Sequence, residues 1–144
     1  MRLLILLISI VMCGGCHSQP AIPRLPPINT IKATVNAVPE LDILAISSVE
    51  VPEDQLASFA RLVTPIKPCS QSIDPTIHYH VADLTVEHRD GTSTTLLVRF
   101  TGHNPAAISL DHGESYYYGG TDEFPAEAIR IIRLLHQYDY DSRN

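Results

Sequence analysis

Tryptophan is absent from this 144-residue chain, lysine occurs only at Lys32 and Lys67, and charged residues make up 18% of the sequence. With a formal charge of −6, the chain lacks the basic surface that displaces counterions from phosphates, which excludes nucleic acid as a partner. Sparse charge also excludes a coiled coil. The sequence has no Gly-x-Ser-x-Gly elbow, no His-Glu-x-x-His and no paired Cys-x-x-Cys. Gly119-Gly120 lacks the Gly-Lys that completes a phosphate loop. No apolar run reaches the length of a spanning helix. The longest, Leu3 to Met12, covers about 15 Å as a helix against a hydrocarbon core of about 30 Å. What remains, with 44% hydrophobic residues, suits one compact domain and its attachments.

The chain opens with the short basic start Met1-Arg2, the apolar run to Met12, and then Cys13-Gly14-Gly15-Cys16 before the polar His17-Ser18-Gln19-Pro20. This order fits a secretory signal, with small residues where a peptidase binds extended chain. Residues 1–16 resemble a bacterial lipoprotein signal, with Cys13 standing where that family usually has leucine. The resemblance implies cleavage after residue 15, attachment of diacylglycerol to the Cys16 sulfur, and anchoring in a membrane of the cell envelope. His17 in place of Asp after the cysteine implies the outer membrane, facing the periplasm, in a diderm host. Two readings compete: cleavage that releases a soluble exported protein, and an uncleaved leader serving as anchor. Acylated Cys16 would leave Cys69 as the one thiol of the mature chain, so no internal disulfide framework arises. Cys69 reads as a small buried or half-buried residue in a Pro-flanked loop, with a reactive or intermolecular thiol as the alternative.

Prolines 20, 23, 26, 27 and 39 follow, and residues 17–30 show neither helical nor strand periodicity. Residues 16–40 therefore read as a lipidated cysteine and Pro-rich tether, extended at about 3.1 Å per residue. Residues 41–144 read as one α+β domain in the order β-α-β-β-β-β-α, an antiparallel sheet of four to five strands with two helices on one face. Leu41 to Val51 alternates as a strand. Pro52 opens a helix with the stripe Leu56, Phe59, Ala60 and Val63, and residues 65–75 connect irregularly. The strands of 77–101 pair around a His88-Arg89-Asp90-Gly91 turn, with opposite residues summing to 180: Leu84 with Leu96, Ala82 with Val98, Val86 with Thr94. A second hairpin joins 107–110 to 115–118. A last helix, capped by Thr121 or Asp122, carries Ala128, Ile131, Ile132, Leu135 and Tyr138.

Three constellations can carry function. His78 and His80, two apart on a strand, with His103 nearby, form a candidate zinc or copper seed; solvent-facing histidines are the competing reading. Asp83 and Glu87 share a polar face with Arg99 as their expected ion partner, and Asp111-His112 with Ser109 or Ser115 only faintly evokes a hydrolase triad. In Tyr116-Tyr117-Tyr118, one phenol at least must face away from the helices. Beside a flexible Gly119-Gly120 these rings suit stacking on an envelope protein or a cell-wall glycan, the alternative being aromatics that fill the sheet. No cofactor is implied. The expectation is a non-enzymatic envelope lipoprotein that binds or assists assembly, partnered with the membrane through its anchor. The alternative is a small envelope enzyme or metal protein using the histidines.

Overall fold

A computed structural model describes residues 21–69, 79–102, 105–121 and 123–144. Within it the chain is α+β: one seven-stranded, wholly antiparallel sheet with two helices. The strands are β1 (Ile28–Val35), β2 (Ile46–Glu50), β3 (Pro65–Pro68), β4 (Tyr79–His88), β5 (Ser93–Phe100), β6 (Ala107–Ser109) and β7 (Tyr117–Gly119). The helices are α1 (Glu53–Val63) and α2 (Ala128–Arg143). Across the sheet the order is β2-β1-β4-β5-β6-β7-β3.

The central hairpin follows from pattern alone. Leu84 pairs with Leu96, Ala82 with Val98 and Val86 with Thr94, as the sum of 180 requires. At the turn, the Gly91 amide donates to the His88 carbonyl, and Gly91 adopts φ +84°, where a residue without Cβ is unstrained. A bulge between His80 and Ala82 then slips the register by one, so His80 lies opposite Arg99. The bulge lets Val81 and Ala82 both be buried in succession.

Seven strands replace the expected four to five, and the order differs, because two segments read as connections are strands. Part of the expected tether is β1, which sits between β2 and β4. Ile31, Ala33 and Val35 alternate with Lys32 and Thr34, a half-buried strand pattern lying just beyond the prolines. The folded part thus begins ahead of residue 41. Leu25 already packs on the core, and the Pro27 carbonyl accepts from the Arg89 amide. The second is β3, within the expected irregular connection; its prolines stand at the sheet's edge, where a missing amide donor is tolerated. The expected strand over 41–51 shortens to β2, since Pro39–Leu41 forms a 3-10 turn closed by Asp42 at φ +55°.

Both helices lie against the apolar side of the sheet, where Ile31, Ala33, Val35, Leu84, Val86, Leu96, Val98 and Ile108 form the core. The stripe of α1 buries Phe59 and Val63, and that of α2 buries Ala128, Ile131, Ile132, Leu135 and Tyr138. The Phe59 and Tyr138 rings meet edge-on at 6.1 Å between centroids, joining the two helices. The cap expected at Thr121 serves a different turn: its hydroxyl accepts from the Phe124 amide, and α2 begins later with Glu127 as N-cap. Asp122 lies outside the described residues. The opposite side of the sheet carries Thr85, Glu87, Ser93 and Thr95, all exposed.

Candidate functional site

The β5-β6-β7-β3 half of the sheet turns a compact aromatic and cationic cluster to the side away from the helices. Register decides which tyrosines belong to it. Tyr117 pairs with the buried Ile108 and takes the helix side, whereas Tyr118 pairs with Ala107 and Lys67 on the other. Tyr116 and Tyr118 are half-buried there, and each ring carries a cation. The Arg99 guanidinium lies 5.0 Å from the Tyr116 centroid, and the Lys67 ammonium 5.6 Å from that of Tyr118. Each such contact is worth about 0.5–1 kcal/mol while partly exposed. Arg99 is therefore not the ion partner expected for the neighbouring acids. Asp83 instead pairs with His80 at 2.9 Å, and Glu87 accepts from the Thr30 hydroxyl at 3.0 Å.

Two polar atoms in this cluster, Arg99 Nε and Tyr116 Oη, are buried without a hydrogen-bond partner among the described residues. Burial raises the Tyr116 phenol pKa, opposed by the nearby Arg99 charge and reinforced by Asp111. Tyr118 is pushed up to about 12, first by its hydrogen bond with the Cys69 side chain and then by burial. Cys69, whose amide donates to the Tyr116 carbonyl, is half-buried and tied into the cluster.

Asp111, His112, Ser109 and Ser115 form a turn. The Asp111 carboxylate accepts from the Ser115 amide and the Ser109 hydroxyl, both at 2.8 Å, and is held at about 2 chiefly by the Ser115 amide. His112 adopts φ +58° and is exposed. The carboxylate thus orders a loop, a use of Asp that hydrogen bonding to its own neighbours explains.

Gly119-Gly120 is also structural. Both residues are buried, and a Cβ on Gly119 would lie 2.5 Å from the Leu62 carbonyl at the end of α1. On Gly120, at φ +98°, it would collide with the Ala126 amide. The pair permits close backbone approach; it is not the flexible element expected beside the tyrosines.

Of the histidine seed, His80 is described and His78 and His103 lie outside the described residues. Among those described, no group of three or more His, Cys, Asp or Glu is placed to hold a metal. Sequence reasoning missed His88, which is buried at the hairpin tip. Its Nδ1–H donates to the Pro26 carbonyl at 3.2 Å and its Nε2 accepts from the Thr94 hydroxyl at 2.8 Å. It also missed an open groove of about 1010 Å³ between residues 22–29 and α1. Leu56 and Ile66 line it with residues of the proline-rich segment, a surface that an extended spacer would not form.

Cys16 and the whole leader lie outside the described residues. Among the described residues, no helix is long and apolar enough to cross a membrane. The chain matches no family model, no curated protein and no solved structure.

Proposed function

We propose that this chain is a cell-envelope lipoprotein, a small binding domain moored to a membrane through acylated Cys16. The observation that carries this is the order of residues 1–16: basic start, ten-residue apolar run, then Gly14-Gly15-Cys16 followed by polar chain. Acyl chains contribute about 0.8 kcal/mol per buried methylene, so two or more hold a protein durably without a spanning helix. In an outer membrane facing the periplasm, the domain would meet other envelope proteins and cell-wall glycan.

Binding is assigned to the Tyr116–Tyr118 face. It offers two half-buried rings, each with a cation against it, within one patch. Tyr117, on the helix side, is removed from the contact set that sequence alone suggested.

Radiolabelled palmitate fed to expressing cells tests the anchor. The wild-type protein takes up label and Cys16→Ser does not; label on the serine variant defeats the assignment. Recovery of partners from envelope extracts tests the face. Tyr118→Ala lowers recovery several-fold with the melting temperature held within a few degrees, and unchanged recovery removes the patch from the reading.

A further inference from the structure

We propose that the groove between the proline-rich segment and α1 is the face the domain rests against the bilayer, with anionic phospholipid headgroups as its occupant. This rests on the lipoprotein reading. Ile22 stands six residues after Cys16, so no more than about 21 Å of extended chain separates it from the acylated sulfur. The sequence suggested a long spacer, but Leu25 is packed on the core and Pro26 and Pro27 are bonded to the hairpin tip. The mouth of this groove is therefore the part of the folded domain that the chain from Cys16 reaches first.

The composition of that surface suits the place. Ile22 is 41% exposed at the mouth, and Leu56 and Ile66 line the groove. Exposed Arg24 and Arg89 flank it against a single acid, Glu53, in a chain whose net charge is −6. An apolar side chain flanked by arginines is what an interface of acyl chains under anionic phosphates accepts.

The absence of tryptophan makes the test direct. Full-length lipidated protein carrying Ile22→Trp or Leu44→Trp is reconstituted in vesicles of phosphatidylethanolamine and phosphatidylglycerol, brominated near the carbonyl end of the acyl chains. Leu44 is 70% exposed and precedes β2, whose start pairs with Val35, the end of β1 away from Ile28. Emission from the Ile22→Trp protein falls at least two-fold and shifts to the blue, and that from Leu44→Trp does not change. Adding Arg24→Glu and Arg89→Glu to Ile22→Trp restores most of the emission. Palmitate-labelled protein with equal emission from both probes overturns this inference and leaves the anchor standing. Protein without palmitate overturns the anchor, and this inference with it.

Discussion

At the scale of single residues, Gly119 at the end of β7 and Gly120 just after it make the sharpest claim. Gly120 holds φ +98°, and an added Cβ would strike the Ala126 amide and approach the Phe124 carbonyl at 2.8 Å. Both obstacles are backbone, so neither can rotate aside. Gly120→Ala therefore costs about 3 kcal/mol, lowering the melting temperature by about 10 °C. Gly91→Ala is the control: its φ is also positive, at +84°, but nothing lies within 4 Å of the added atom. There only the left-handed conformation is penalised, at about 1 kcal/mol. Thermal melts that rank the two variants the other way would show that the Gly-Gly pair is a hinge after all. Tyr118 makes a second claim. Its phenol is pushed up to about 12 by the Cys69 hydrogen bond and by burial. A raised pKa means that the folded state holds the proton more tightly. The associated stability is thus complete below pH 10 and is lost as pH rises from 10 towards 12. Cys69→Ala should shift one of the six tyrosines down towards pH 10 in a phenolate absorbance titration. An unaltered curve would mean that the thiol does not hold that hydroxyl.

Among the elements, β1 decides where the domain begins. It pairs with β4 through Ile31, Ala33 and Val35 and with β2 on its other side, so removing it both uncovers β4 and detaches β2. Ile31 and Val35 are 0% and 1% exposed, and their burial alone supplies about 4 kcal/mol. Domains of this size hold a margin of about 5–15 kcal/mol, so losing a central strand exhausts it. Residues 36–144 should fail to melt cooperatively, whereas residues 21–144 do so, as followed by far-ultraviolet circular dichroism. Cooperative melting of the shorter chain would restore the boundary read from sequence. The central hairpin and both helical stripes were legible in the sequence because each is set by local periodicity and a nearby turn. β1 was not, since its alternation spans only Ile31 to Val35 and adjoins prolines that read as spacer. β3 was hidden by Pro65 and Pro68, which argue against a strand unless the chain is known to lie at an edge, and its partner β7 is remote in sequence. The same distance hid the site. Alternation alone separates Tyr117 from Tyr116 and Tyr118. Only the slip at Val81 sets Arg99 opposite His80, and only the fold brings Lys67 and Cys69 under Tyr118.

For the molecule as a whole, the length of chain between Cys16 and the core sets what the domain can reach. Eight residues separate Cys16 from Leu25, in place of the roughly 40 Å spacer that a fully extended stretch over 17–30 would make. On the lipoprotein reading proposed above, this shorter tether would favour turning the groove to the lipid and leaving the Tyr116–Tyr118 patch, across the sheet from the helices, to other partners. Lengthening the tether should release that constraint while leaving the anchor intact. A Gly/Ser insertion of about 20 residues after Pro20 adds a coil of about 25 Å root-mean-square span. It thereby dilutes the groove from the surface, since effective concentration falls steeply with linker length. Palmitate incorporation and membrane fractionation should be unchanged by the insertion. The difference in bromine quenching between Ile22→Trp and Leu44→Trp should shrink by more than half. If the difference survives intact, proximity is not what seats the groove, and its affinity for headgroups must be strong enough to act without a short tether. If palmitate is lost as well, the insertion has disturbed processing at Cys16, and moving it to follow Ala21 separates the two effects.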